Sequence, residues 1–221
     1  MTSPSTIAQR VVEMHATIAA EPPAESMSAF AREQAELAAG GAPAGIAPAG
    51  TVLRDADLLD MHGTPTTLYA AAGDGTSVLV FYRGAWCPYC NIALSAYQEQ
   101  LLPLLTGRGI PLVAVSPQKP DGSLTMQQKN DLAFTVVSDP GNAIATRLGI
   151  LTRPSEEARA AQLQFGLDLA SVNADGTVTL PMPATVILDA SRTVRWIDVH
   201  PDYSTRTEPR QVIDALDRLE H

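Results

Sequence analysis

VLVFYRGAWCPYCNIALSAYQEQLL, Val78–Leu102, passes from a short apolar run through a loop bearing glycine and two cysteines into a helix-forming segment. The run Val78–Tyr82 is rich in β-branched and aromatic residues and has no polar alternation. That predicts a strand buried on both faces. Downstream, Leu94, Tyr97, Leu101 and Leu104 recur at spacings of 3, 4 and 3, the apolar stripe of a helix that Gly107 and Gly109 stop. Pro111–Val115 is the next candidate for a central strand, and its distance from the first suits a right-handed βαβ crossover. The rhythm is α/β.

Working outward, short extended pieces are expected at Thr51–Leu59 and Thr66–Tyr69, joined by a turn at His62–Gly63. Gln127–Leu132 and Asn142–Leu148 read as short helices on either side of a weak strand at Thr135–Val137. Glu156–Phe165 has helical composition, and Asp175–Gly176 is a turn signal before the extended run TVTL. Asp139, before Pro140–Gly141, is expected to make a turn or cap the following helix. Ala184–Asp189 and Thr193–Val199 predict an antiparallel hairpin. A closing helix has Thr207 as N-cap, Pro209 in its first turn, and Val212, Ile213, Leu216 and Leu219 on one face. The sum is a mixed sheet flanked by helices.

Residues 1–45 read as a helical arm distinct from a domain at 46–221. Ser5 or Thr6 caps a helix with Ile7, Val11, Met14 and Ile18 on one stripe, ended by Pro22 and Pro23. A second helix is expected at about Met27–Ala39, followed by the hinge GGAPAGIAPAG. The arm is expected to pack on its own domain or to pair in a homodimer, either of which covers its apolar stripe, or else to be a mostly disordered tail.

Composition narrows the function. The chain has 221 residues, enough to bury about 70% of its unfolded surface around one core. Fifteen basic against 24 acidic side chains give a formal charge of −9, which disfavours nucleic acid as a partner. No apolar run is long enough to span a membrane, and the N-terminus lacks a basic leader with an apolar core, so a cytoplasmic location is expected.

Cys87 and Cys90, the only cysteines, enclose Pro88 and Tyr89. A bridge across so small a loop restrains little unfolded-state entropy, which points to chemistry rather than stapling. A cysteine at a helix N-terminus faces unpaired N–H groups that favour its thiolate, and a second one turn away can resolve a sulfenic acid or mixed disulfide. The competing readings are two buried small apolar residues, or half a zinc site that none of His15, His62, His200 and His221 completes with ligand spacing. On position alone Cys87 is the more accessible nucleophile. Gly84 permits a turn beside the loop, while Trp86 and Tyr89 are pocket walls or packing aromatics. Arg83 is expected either to stabilise a thiolate or peroxide oxygen, or to be a solvated or structural arginine. His200, Asp202, Tyr203 and Arg206 form a polar cluster after the last strand, with His200 a base or part of an ordered loop.

The stretches FYRGAWCPYCN (Phe81–Asn91), FTVVSDPGNAIATRLGI (Phe134–Ile150), PATVILD (Pro183–Asp189) and HPDYSTRTEP (His200–Pro209) resemble the thioredoxin-fold redoxin superfamily, in its peroxiredoxin-like AhpC/TSA branch. The resemblance implies a thioredoxin-like α/β fold with an N-terminal helical extension. It implies a thiol peroxidase in which Cys90 attacks peroxide and a Cys87–Cys90 disulfide follows. A thioredoxin-like or low-molecular-weight thiol would be the reductant, and no cofactor or metal is required. The family threonine falls on Cys87, the family proline has no partner at Ala85, and the family arginine aligns near Pro183. Trp86, Cys87, Pro88, Cys90 and Pro183 instead resemble the WCxxC and cis-proline of exchange oxidoreductases. That keeps two alternatives open, disulfide exchange starting at Cys87 and a noncatalytic redox-responsive dimer. Pro183 is accordingly expected in cis, opposite the thiols.

Overall fold

The computed structural model describes residues 4–18 and 25–220. It opens with two helices, α1 (Ile7–Ile18) and α2 (Glu25–Gly40). A hairpin of β1 (Asp57–Asp60) and β2 (Pro65–Thr67) leads through α3 (Leu68–Ala72) to β3 (Ser77–Phe81). The next helical segment runs as α4 (Pro88–Ala96), a π turn (Tyr97–Leu101) and α5 (Leu102–Gly107). Then come β4 (Leu112–Ser116), α6 (Pro120–Asn130), β5 (Thr135–Ser138) and α7 (Ala143–Leu148). After β6 (Leu151–Thr152), α8 (Glu156–Gln164), α9 (Leu169–Val172) and β7 (Leu180–Pro181), the chain returns with β8 (Ala184–Leu188) and β9 (Val194–Val199). It closes on α10 (Pro209–Leu219).

Seven strands form a mixed sheet in the order β2-β1-β5-β4-β3-β8-β9. The β3–β4 and β4–β5 pairs are parallel and the other four antiparallel. Val78 and Val80 point into a core shared with Leu94, Tyr97, Met126 and Val212, while Leu79 and Phe81 join Leu68, Ile144 and Leu148 on the opposite face. Both faces of β3 are covered by apolar side chains, which is why the run shows no alternation.

The departures from expectation have local causes. The π turn inserts one residue into the helix after β3, so the buried stripe continues at Leu105 while Leu104 is exposed. α6 begins at Pro120, well before Gln127, because a proline that reads as a breaker sits here in the first helical turn. Thr67 ends β2 and caps α3 by accepting from the Ala70 N–H, so Tyr69 is helical rather than extended. Of the run TVTL, only Leu180 enters a strand after the Asp175–Gly176 turn, pairing with Thr152. The N-cap of α10 is Glu208, in a capping box with Gln211, and not Thr207, whose hydroxyl is taken by Asp198. Asp139 caps α7 as expected, accepting from the Ala143 and Ile144 N–H groups.

In the arm, Thr6 rather than Ser5 forms the cap of α1, in a reciprocal pair with Gln9. Ile7 and Val11 are buried against the core of their own chain, and the Glu208 carboxylate accepts from the Ile7 and Ala8 N–H groups. α2 packs along α8, with the Phe30 and Phe165 rings 6.1 Å apart. The expected stop at Pro22–Pro23, the side chain of Ile18 and His221 lie outside the described residues.

Candidate active site

Both cysteines sit where β3 ends and α4 begins. Cys87 is the N-cap of α4, Pro88 occupies the first helical position, and Cys90 falls in the first turn. Pro88 costs the helix nothing there, since its missing N–H would have had no partner. The loop before them is held by two amide side chains. Gln118 Oε1 accepts from the Ala85 N–H at 2.8 Å, and Asn91 Nδ2 donates to the Ala85 and Cys87 carbonyls, each at 2.8 Å. Gly84 has φ +156°, and a Cβ there would overlap Trp86 Nε1 and lie 2.7 Å from Gln118 Oε1. Gly84→Ala should therefore cost about 1–3 kcal/mol through overpacking. Thermal denaturation beside wild type reads this loss, and an unchanged midpoint would contradict it.

Cys87 and Cys90 are free thiols 3.3 Å apart, both buried. Arg206 Nη2 donates to Cys90 Sγ at 3.1 Å, and the Arg83 main-chain N–H approaches the same sulfur at 3.4 Å. Burial opposes ionisation of Cys90. The hydrogen bond from Cys87, the Arg206 guanidinium and the Arg83 N–H and charge outweigh it and hold Cys90 well below the ordinary thiol range. Cys87 is driven the other way, by burial, by its hydrogen bond to Cys90 and by the negative charge that Cys90 carries. The two displacements together favour the charge on Cys90 and the proton on Cys87. Cys87 is 1% and Cys90 0% exposed, so accessibility does not distinguish the two sulfurs.

Arg206, expected only as one of a polar cluster, is the side chain that meets Cys90. It lies in the segment after β9, 116 residues from Cys90 in sequence. Its Nη1 donates to the Tyr203 and Thr205 carbonyls, both at 2.6 Å, which fixes the guanidinium fork against the sulfur. A chain of contacts steadies that segment. His200 bonds Thr205 Oγ1 at 2.8 Å and Asp198 at 3.1 Å, Thr207 Oγ1 donates to Asp198 at 2.9 Å, and Tyr97 Oη donates to the Thr207 carbonyl at 2.7 Å. His200 belongs to this scaffold, and Asp202 closes a turn by accepting from the Ser204 N–H. The available signal was an arginine within HPDYSTRTEP, one of the stretches that carry the resemblance.

Arg83 touches the thiolate through its main chain. Its guanidinium stacks on Tyr203 at 3.8 Å and faces Trp86 at 5.1 Å. Tyr89 Oη accepts from Gln34 Nε2 at 3.1 Å and lies 2.9 Å from His15 Nε2, so both arm helices reach the loop. Pro183 is trans, as no peptide bond among the described residues is cis. Its carbonyl accepts from the His200 N–H, carrying the extended β8–β9 pairing one residue further, and an extended strand end does not demand the cis form.

Two cavities adjoin the pair. One of about 10 Å³ touches Cys90, Tyr82, Tyr97, Thr185, Arg206 and Thr207, the room of roughly a single water. The other, about 340 Å³, touches Cys87 and is walled by α1, α2 and α8 through Met14, Met27, Phe30 and Phe165. Among the described residues no group of three or more His, Cys, Asp or Glu side chains could hold a metal, and no helix is long and apolar enough to cross a membrane.

A sequence model described as the AhpC/TSA family matches residues 49–197. Comparison with curated proteins returns no match. Among solved structures, peroxidoxin BcpB of Mycobacterium tuberculosis superposes with a TM-score of 0.57 at 18% identity, covering 78% of this chain and 96% of that one. A peroxiredoxin-like protein of Aquifex aeolicus gives 0.60 at 15% identity, over 79% and 90%. Peroxiredoxin Q of Xanthomonas campestris gives 0.54 at 19% identity, over 75% and 90%. These likenesses establish the thioredoxin fold.

Proposed function

The chain belongs to the AhpC/TSA family, and from that premise we propose that it is a thiol peroxidase in which Cys90 is the peroxidatic sulfur and Cys87 the resolving one. The observation that carries this reading is the Arg206 guanidinium at 3.1 Å from a buried Cys90 sulfur with Cys87 beside it. The Cys90 thiolate attacks one peroxide oxygen, the O–O bond breaks, and the departing hydroxide takes up a proton. Cys90 is left as a sulfenic acid. Arg206 offers a charge-assisted donor where negative charge shifts from sulfur onto oxygen. Cys87 then attacks the sulfenic sulfur, expelling water and closing the Cys87–Cys90 disulfide. Because the two residues are already within 3.3 Å, this step needs no unfolding of α4.

The small cavity at Cys90 supports hydrogen peroxide over bulkier hydroperoxides as the oxidant. Stopped-flow oxidation of the reduced protein tests this. Hydrogen peroxide should outpace cumene hydroperoxide roughly tenfold or more, which corresponds to about 1.4 kcal/mol of barrier. Equal rates would contradict the size argument, and no oxidation by either would contradict the peroxidase reading. Exchange with an external disulfide starting at Cys87 is the second reading, favoured by Cys87 lining the larger cavity. Against it stands the upward displacement of the Cys87 thiol by burial and by its neighbour, since the thiolate is the attacking form.

A further inference from the structure

The 340 Å³ cavity meets Cys87 and not Cys90, so whatever enters it reacts at Cys87. In the disulfide form the sulfur of Cys87 is an electrophile, and the occupant is then a nucleophilic thiol. Two observations define that thiol's chemistry. The walls are mainly apolar, with Met14, Met27, Phe30 and Phe165 among them. Arg83 also lines the cavity, is 5% exposed, forms no ion pair among the described residues, and has a buried Nε–H without an acceptor. A buried cation with an unpartnered donor in an apolar chamber calls for an anionic acceptor on an apolar body.

Enclosure narrows the class further. Cys87 is 1% exposed, and the helices α1, α2 and α8 supply cavity walls around it. A protein dithiol must bring a whole surface to the sulfur it attacks, whereas a small molecule fills the chamber. Once a mixed disulfide forms on Cys87, the Cys90 thiolate at 3.3 Å can attack it and reverse the step. A second thiol on the same ligand competes with that reversal intramolecularly, which a monothiol cannot do.

We propose that this cavity is the reductant site and that the reductant is an aliphatic dithiol bearing a carboxylate, bound with its carboxylate at Arg83. The proposal rests on the peroxidase reading for the origin of the disulfide. The ligand's thiolate attacks Cys87 Sγ, and the Cys87–Cys90 bond breaks with its electron pair going to Cys90, which Arg206 stabilises as the leaving group. The ligand's second thiol, as its thiolate, attacks the mixed disulfide at the ligand sulfur. That closes the ligand's own disulfide and releases Cys87, which takes up the proton. The ligand loses two electrons and the protein disulfide gains them.

Dihydrolipoate and its uncharged amide, dihydrolipoamide, are suitable probes because they differ only in the carboxylate. The disulfide form, prepared with diamide so that its supply does not depend on peroxide chemistry, is reduced by each under single-turnover conditions. Wild type should favour dihydrolipoate about tenfold or more, the worth of one buried charge-assisted contact. Arg83→Gln should bring that ratio close to one and Arg83→Lys should restore part of it. Being a ratio within each protein, it is insensitive to a general loss of stability. Octanoate should compete with dihydrolipoate in wild type and not in Arg83→Gln. Equal rates for the two dithiols in wild type, or faster reduction by a thioredoxin at equal thiol concentration, would overturn the proposal. Failure of peroxide to oxidise the reduced protein would instead sink the peroxidase reading, leaving this measurement to stand on the diamide-made disulfide.

Discussion

Replacing Cys90 with serine should abolish the rapid peroxide-dependent step, and replacing Cys87 should leave it in place but change its product. In Cys87→Ser the Cys90 thiolate keeps Arg206 at 3.1 Å and the Arg83 N–H at 3.4 Å, and serine can still donate a hydrogen bond. Its first oxidation should therefore remain fast, and mass spectrometry with a sulfenic-acid trap should find one added oxygen on Cys90. Excess peroxide should carry that sulfur on to sulfinic acid, because no partner thiol remains to condense with it. Wild type should lose two hydrogens instead. A fast oxidation retained in Cys90→Ser and lost in Cys87→Ser would transfer the peroxidatic role to Cys87.

Arg206→Met should slow oxidation of Cys90 by about 10²-fold or more, the usual effect of removing one donor aimed at developing charge. Two consequences combine. The thiolate loses the cation that offsets its burial, and the peroxide oxygens lose a preorganised donor. The buried Tyr203 carbonyl also loses its donor, so some stability goes with the rate, about 1–3 kcal/mol for that carbonyl left unsatisfied. Arg206→Lys separates the two. It keeps the charge but not the fork that spans both carbonyls and the sulfur, so the rate should recover in part while the stability loss persists. Stopped-flow oxidation together with denaturant unfolding of both variants checks this. An Arg206→Met protein that reacts at the wild-type rate would remove Arg206 from the chemistry.

How far the sequence carries the reading depends on where each signal sits along the chain. β3, the loop and α4 are contiguous, and the strand–CxxC–helix order was legible because its pattern is local. So was the alternation of strands and helices, since each period is confined to a few residues. The π turn was not legible: one inserted residue at Tyr97–Leu101 leaves the composition helical and moves the stripe from Leu104 to Leu105. Arg206 was named only as one of a polar cluster, because its approach to Cys90 depends on β9 returning beside β8, which no local spacing encodes. Arg83 drew attention for its charge, yet its N–H is what meets the sulfur, and main-chain donors carry no residue signature. The arm looked like an appendage, while its Met14, Met27 and Phe30 wall the cavity at Cys87.

The peroxidase reading requires the reduced pair to hold its charge on Cys90 and its proton on Cys87. Ultraviolet thiolate absorbance against pH, measured on Cys87→Ser and Cys90→Ser, reads each sulfur alone. Cys87→Ser should ionise below the ordinary thiol range, because a serine hydroxyl can take over the hydrogen bond that Cys87 gives and Arg206 and the Arg83 N–H remain beside Cys90. Cys90→Ser should stay protonated through neutrality and ionise only above that range, because burial, the largest influence on Cys87, persists without its partner. The reverse order, an acidic thiolate in Cys90→Ser and an ordinary or raised thiol in Cys87→Ser, would contradict the account.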